Sequence, residues 1–329
     1  MVSASNAAIR VTGITNVTAS ATLAEVRGGA AATCITPAAA PTITVVIPTY
    51  NSAATMPAAL GSIDDPAAEI LFVDDASDDI AALQAIAAAD PRVRLIAKPI
   101  RTNAAHSRAL GLAQATGNLV IFLDSDDHFL PGHLTRRRAL HTADQSSVVI
   151  GRFRLADGTR VFDGPMRAYT GGDVEAYLFA QGGDARSSTI SVDRRVLRGT
   201  TFDARLAKHQ DWGFALAAWR NGERIGFDPT PGVVIDIAGD TRMSARSNVD
   251  ASLAFARDYV LSEDNRRRFL IGRLRTSLRL GDVRAARRFR GALLGLHPSA
   301  RQRWGSAAMI LAGRLGVAAP LHRLLAGRQ

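Results

Sequence analysis

Asp124-Ser125-Asp126-Asp127 follows directly on the apolar run Leu119-Val120-Ile121-Phe122-Leu123, and these carboxylates are the residues best placed to do chemistry. The apolar run has no polar alternation, as expected of a strand buried on both faces of a parallel sheet. Carboxylates crowded past such a strand need something positive to meet them. The carboxyl ends of parallel strands are also where open α/β sheets bind ligands. Asp124 and Asp126, two residues apart, point the same way from an extended segment. Two hard oxygen donors on one side suit Mg²⁺ or Mn²⁺, ions that usually carry substrate phosphates. Asp127 is an alternative ligand. The competing interpretation is a turn whose aspartates cap the helix that starts at Pro131.

Positioning the cluster takes a sheet, and the chain alternates strand and helix to supply one. Strands are expected over 42–47, 69–73, 92–97 and 118–123, with helices over 53–63, 78–89 and 103–116 between them. Pro48 should end the first strand, because it has no N–H to give a ladder. A further strand is expected near 148–150, then short strands and loops over 151–189, a helix over 211–221, and strands over 224–227 and 233–237. Helices are expected over 251–280, 283–294 and 301–316. Residues 1–40, rich in Ala, Thr, Ser and Gly with weak periodicity, read as a loosely attached or disordered leader. The fold class is therefore α/β, a doubly wound and mostly parallel sheet with a helical C-terminal extension over 250–329.

Composition narrows the field. The single cysteine, Cys34, excludes an internal disulfide and a cysteine-rich zinc site, and fits a reducing, cytoplasmic setting. The sequence shows no signal-peptide pattern and no apolar stretch near the roughly 20 residues of a transmembrane helix. No Gly-x-Gly-x-x-Gly follows the first strand, which argues against an NAD enzyme. Nor is there a Gly-rich basic loop at that turn, which argues against a sugar nucleotidyltransferase. Of the net charge of +10, residues 250–329 carry more than all of it, with 16 Arg against five acidic residues. An anionic partner is thus expected of the C-terminal region rather than the body.

The first strand closes Val45-Val46-Ile47-Pro48-Thr49-Tyr50-Asn51 and the second Leu71-Phe72-Val73-Asp74-Asp75-Ala76-Ser77-Asp78. Arg108, Gly111 and Gly117 then lead into the acidic run. In this order, over about residues 42–244, the chain resembles the family-2 glycosyltransferases of GT-A fold. The resemblance divides the catalytic domain, 41–249, into a nucleotide-binding half over 41–130 and an acceptor half over 131–249. It implies a nucleotide-sugar donor, a UDP-sugar, held by Pro48, Thr49, Tyr50, Asn51, Asp75, Arg108, Asp124 and Ser125. Asp124 and Asp126 would carry Mn²⁺ or Mg²⁺. Tyr50 offers a ring to lie against the base, and Asp75 can accept a hydrogen bond from a pyrimidine N–H, which the family implies is uracil. The ordinary alternatives are a packing aromatic for Tyr50 and a turn or cap for Asp75. Arg108 could balance the acidic cluster or touch the diphosphate.

Thr201-Phe202-Asp203 followed by Lys208-His209-Gln210-Asp211-Trp212-Gly213 is similar to the family's acceptor-side segment, where a Glu-Asp pair opens a helix and the Asp is general base. Here the pair is Gln210-Asp211, which keeps the base. At a helix N-terminus the macrodipole should lower the pKa of Asp211. Other departures are Asn103 where the family often has Gly, and Ala109 where it often has Asn. The stretch 236–246 lacks the His that often helps bind metal or phosphate, leaving Asp240 and Arg242 as substitutes. Gln302-Arg303-Trp304 has the letters of the processive-synthase motif without its spacing.

The implied activity is inverting transfer of a sugar to an acceptor hydroxyl, in surface polysaccharide or glycoconjugate assembly. The acceptor would be a saccharide or a lipid-linked sugar. The alternative is a GT-A-fold scaffold with weak or no catalysis. In the C-terminal region, Arg266-Arg267-Arg268, Arg273, Arg275, Arg279, Arg284, Arg287, Arg288 and Arg290 accompany an apolar stripe at Leu270, Leu274 and Leu278. That pattern suits a helix lying peripherally on an anionic membrane surface, at its cytoplasmic face, or a solvated helix packed on the catalytic domain. Nucleic acid is disfavoured, since no interleaved aromatics or known motif accompany the charge.

Overall fold

The computed structural model describes residues 40–238 and 248–314. The leader, Asp240, Arg242 and the end of the C-terminal extension lie outside the described residues. A seven-stranded sheet forms the centre, in the order β10-β6-β9-β4-β1-β2-β3. Its first half is β1 (Ile43–Thr49), α1 (Met56–Gly61), β2 (Glu69–Asp74), α2 (Ile80–Ala89), β3 (Val93–Ala97), α3 (Ala104–Gln114) and β4 (Leu119–Phe122). β1 pairs in parallel with β2 on one side and β4 on the other, and all seven of its residues are buried. The unbroken apolar runs therefore become the middle of the sheet, covered on both faces.

Pro48 does not end β1, contrary to expectation; it pairs in register with Val73 and the strand runs on to Thr49. Leu123 N–H donates to the Val46 carbonyl, and Asp75 N–H to the Thr49 carbonyl. Alternate residues of β1 thus face alternate neighbours, and Pro48 faces β4. Pairing with β4 has already stopped at Val46–Phe122, so the missing N–H costs no ladder bond.

Two glycines set how α3 approaches. A Cβ on Gly111 would lie 2.3 Å from Val46 Cγ1, and one on Gly117 would lie 2.6 Å from the Thr44 backbone nitrogen. α3 therefore packs directly on β1, which holds Arg108, one turn before Gly111, against the acidic strand end.

The second half contains β5 (His128–Phe129), α4 (His133–Asp144), β6 (Val148–Gly151), β7 (Arg154–Ala156), β8 (Val161–Asp163), α5 (Val174–Phe179) and β9 (Ser191–Asp193). α6 (Gln210–Arg220), β10 (Ile225–Asp228) and β11 (Val233–Asp236) complete it. β9 runs antiparallel between β4 and β6. β5, β11, β7 and β8 make a separate four-stranded sheet. α5 falls where only short strands and loops were expected. Asp173 caps it, accepting from Glu175 N at 2.8 Å and Ala176 N at 3.1 Å.

The C-terminal helices are α7 (Val249–Asp258), α8 (Glu263–Arg279), α9 (Val283–Leu294) and α10 (Ala300–Arg314). The single helix expected over 251–280 is broken between Asp258 and Glu263. Buried Glu175 receives the amides released there, Leu261 N at 2.9 Å and Ser262 N at 2.7 Å, and also faces Asn265 Nδ2 and Arg220. Ser262 caps the new helix, and Glu263 and Asp264 occupy its first turn. Among the described residues no helix is long and apolar enough to cross a membrane.

Candidate active site

The carboxyl ends of β1, β2 and β4, the start of α6 and one face of α8 enclose a cleft of about 680 Å³. Pro48, Thr49, Tyr50 and Asp75 line one part; Asp124, Ser125, Asp126 and Asp127 line another, with Arg108 beside them. Asp211 lines it too. Of the residues the sequence singled out, Asn51 stands apart. It adopts a left-handed φ of 49°, accepts from Asp78 N at 2.8 Å and donates to Asp78 Oδ2 at 3.1 Å, so its side chain closes a turn.

The second strand ends in two aspartates with different tasks. Asp74 ties the turn together, accepting from Thr49 Oγ1 at 3.1 Å and from Ser77 N at 2.9 Å. Asp75 borders the cleft; its Oδ1 accepts from Thr102 N at 2.7 Å and lies 2.6 Å from Lys98 Nζ. Tyr50 is exposed, and the guanidinium of Arg101 lies 3.8 Å from its ring centroid. Tyr50 and Asp75 thus border the same cleft, with Arg101 over the tyrosine ring.

The acidic run separates into three environments. Asp124 Oδ1 is 2.5 Å from Arg108, whose other terminal nitrogen donates to Gln210 Oε1 at 2.9 Å. Asp127 is buried; it accepts from Ser188 Oγ at 2.5 Å and from Asp236 N at 3.1 Å. Burial, then the charges of Asp124 and Asp126, push its pKa well up. Asp126 is exposed to the cleft. Among the described residues, no three His, Cys, Asp or Glu side chains converge as a self-sufficient metal site. A divalent ion would take carboxylate oxygens from Asp126 and Asp124 and the rest from a bound phosphate or water, a donor set that suits Mg²⁺ or Mn²⁺.

Asp211 lies in the first turn of α6 and accepts from Trp212 N at 2.9 Å. Its pKa is raised to about 6, not lowered as the helix dipole alone predicts. Burial is the largest cause and Asp184 adds to it; Arg186, the Trp212 amide and Arg108 oppose. Asp184 binds Trp212 Nε1 at 2.8 Å and Arg186 Nε at 2.8 Å. His209, at a left-handed φ of 60°, stacks on Trp212 with ring centroids 5.1 Å apart and bonds Ser252 Oγ at 2.9 Å. Burial pushes its pKa well down, so it is neutral. A half-buried carboxylate with a pKa near 6 is suited to take a proton at neutral pH.

Arg186, Lys208, Arg273, Thr276 and Arg279 also line the cleft and were not anticipated as site residues. Arg273 lies over the Trp212 ring at 5.6 Å. The signal for it was an arginine set inside the apolar stripe of Phe269, Leu270 and Leu274 rather than opposite it. Arg186 sits in a loop segment with no periodicity to reveal it.

The model of the family described as "Glycosyl transferase family 2" matches residues 44–204, a span that stops short of Asp211 and α8. The amylovoran biosynthesis glycosyltransferase AmsB of Erwinia amylovora is 26% identical over 199 residues, 56% of this chain and 64% of that protein. The succinoglycan biosynthesis protein ExoO of Rhizobium meliloti is 29% identical over 247 residues, 67% of this chain and 70% of that one. The matches thus span about two thirds of each relative's length. S. aureus TarS 1–349, solved in complex with UDP-GlcNAc, superposes with a TM-score of 0.58 over 84% of this chain and 92% of that one. At 18% identity that likeness speaks for the fold.

Proposed function

The chain belongs to glycosyl transferase family 2, and from that premise we propose that it moves a sugar from a UDP-sugar to an acceptor hydroxyl with inversion at the anomeric carbon. The observation that carries this reading is Asp211. It is a carboxylate tuned to about 6, in the same cleft as the Asp124–Asp126 pair and linked toward it through Gln210 and Arg108.

In this reading the base lies against Tyr50 and reads Asp75, with Pro48, Thr49 and Ser125 at the walls. Asp126 and Asp124 would hold Mn²⁺ or Mg²⁺, which when bound offsets the charge of the departing diphosphate. Asp211 accepts the acceptor's hydroxyl proton as that oxygen bonds to the anomeric carbon, and the bond to the diphosphate oxygen breaks with its electrons leaving on UDP. A single displacement with one base inverts that carbon. Such a base contributes about 10²–10⁴-fold.

The names of the two relatives place them in amylovoran and succinoglycan biosynthesis, and assembly of a surface polysaccharide or glycoconjugate is the setting proposed here. Attachment of the Arg-rich helices to the cytoplasmic face of an anionic membrane belongs to the same reading. Trp304 and Leu311, exposed on α10, the helix that also carries Arg301 and Arg303, support it. Loss of liposome co-sedimentation in W304A is the expected result; unchanged binding removes that role from α10.

Calorimetry of UDP, GDP and NAD with and without Mn²⁺, on wild type and D126A, tests the donor half. The expected result is UDP binding that needs both metal and Asp126. Folded protein that binds no nucleotide would leave a scaffold in place of an enzyme.

A further inference from the structure

Resting on the reading of Asp211 as the base, we propose that α8 forms an acceptor-phosphate site. The hydroxyl donor is a sugar bearing a phosphate or diphosphate, and Arg273 is the residue that binds that group.

Arg273, Thr276 and Arg279 are spaced by three along α8 and all reach the cleft, joined there by Lys208 and Arg186. Arg273 lies on the Asp211 side. It covers the ring of Trp212, the residue after Asp211, and the charges acting on it include Arg186, Asp184 and Asp211. Asp184 is already bound by Arg186. Among the described residues no carboxylate makes an ion pair with Arg273; its one side-chain hydrogen bond, to Thr276 Oγ1 at 3.4 Å, stays within its own helix. A half-buried guanidinium beside a second guanidinium, without a paired anion, is costly unless a ligand brings one.

The donor does not account for this wall. Its diphosphate is proposed to lie at the Asp124–Asp126 pair, where an ion and Arg108 meet it, whereas the carboxylates whose charges act on Arg273 are Asp184 and Asp211. A neutral sugar hydroxyl would bring no anion to Arg273, on which burial and Arg186 outweigh the opposing charges of Asp184 and Asp211. A phosphate offers several strong acceptor oxygens and up to two charges, which the guanidinium fork matches. The wall is also firmly placed. Glu175, 3% exposed, fixes the start of α8 by accepting Leu261 N, Ser262 N and Asn265 Nδ2.

A lipid-linked diphospho-sugar and a water-soluble sugar phosphate share this chemistry, and three probes separate them. They are a methyl glycoside, the corresponding glycosyl 1-phosphate, and a short-chain alkyl diphospho-glycoside, made for glucose, galactose and N-acetylglucosamine. Each is titrated into full-length protein saturated with UDP and Mn²⁺. The phosphorylated probe of one sugar is expected to bind about ten- to a hundredfold more tightly than its methyl glycoside, the range of one or two charged hydrogen bonds. R273A should erase that advantage and R273K keep part of it, with UDP affinity the same in all three proteins. An advantage shared by both phosphorylated probes identifies the phosphate itself as the feature bound. An advantage confined to the alkyl diphosphate identifies a lipid-linked headgroup. Equal affinity for charged and neutral probes in wild type overturns the proposal. So does an R273A protein that keeps the advantage but loses UDP, which would assign the wall to the donor. Wild type that fails to bind UDP overturns the glycosyltransferase reading first, and this proposal with it.

Discussion

Arg108 and Gln210 lie 102 residues apart in the chain and are joined by a 2.9 Å hydrogen bond. The same guanidinium is 2.5 Å from Asp124, and Gln210 Nε2 donates to the Leu206 carbonyl at 2.9 Å. One buried arginine therefore ties the acidic strand end to the helix that carries Asp211. Gln210, where the resemblance led one to expect a glutamate, keeps this link without adding a charge. Replacing it by leucine removes a hydrogen bond to a charged group, worth roughly 1.5–3 kcal/mol. Q210L should lower kcat/KM by about ten- to a hundredfold while Q210E retains most activity. Steady-state kinetics of the two variants check this, and an unimpaired Q210L would remove the link from the account.

Asp211 sets a pH limit. With a pKa of about 6, transfer should fall below that pH with a slope of one, as the base becomes protonated. Arg186 is the largest influence lowering this pKa, so R186Q should move the acid limb upward. A kcat/KM profile of both proteins reads the shift directly; a limb that stays in place or moves down contradicts the electrostatic account.

The same raised pKa has a cost in stability. The folded protein keeps its Asp211 proton up to about pH 6, while the unfolded chain loses it near 3.8. Between those values the native state binds more protons, so stability falls as pH rises through the window and the penalty is complete above it. D211N should therefore be more stable than wild type at pH 7, on the order of 1–3 kcal/mol, and the gain should vanish below pH 4. Urea unfolding at both pH values tests the sign.

Glu175 fastens α8. Alanine there leaves Leu261 N, Ser262 N and Arg220 without their partner. E175A should cost about 3–5 kcal/mol and raise the acceptor KM more than it weakens UDP binding. Equal losses on both substrates would mean that α8 is not specifically an acceptor wall.

Gly111 is a packing constraint on catalysis. G111A would drive a Cβ into Val46, destabilising by about 1–3 kcal/mol. It should also weaken UDP binding, because α3 carries Arg108. Thermal unfolding and calorimetry on one preparation follow both effects.

The centre of the fold was legible because β1, β2 and β4 are unbroken apolar runs, and their carboxyl ends carry the polar residues that border the cleft. Pro48 misled because its effect depends on which neighbour it faces, and that neighbour ends two residues earlier. β9 and α5 were not legible; at three and six residues they are too short to show a period, and pairing or a cap decides them. Ser262-Glu263-Asp264 is a helix start, but the apolar stripe of Leu270, Leu274 and Leu278 continues past it and masked the break. For Asp211 the helix dipole was visible in the sequence, whereas burial and Asp184, brought close only by folding, reversed its direction. Arg273 illustrates a general limit: its place inside the apolar stripe marks it as covered, but the pattern is the same whether lipid or a cleft covers it.

The central claim is that Asp211 is the base of a glycosyl transfer, and D211N tests it most directly. UDP affinity in Mn²⁺ and UDP release from a UDP-sugar with acceptor are measured together on wild type and variant. The account predicts unchanged UDP affinity and transfer reduced by about 10²–10⁴-fold. A D211N protein that transfers at the wild-type rate would contradict it.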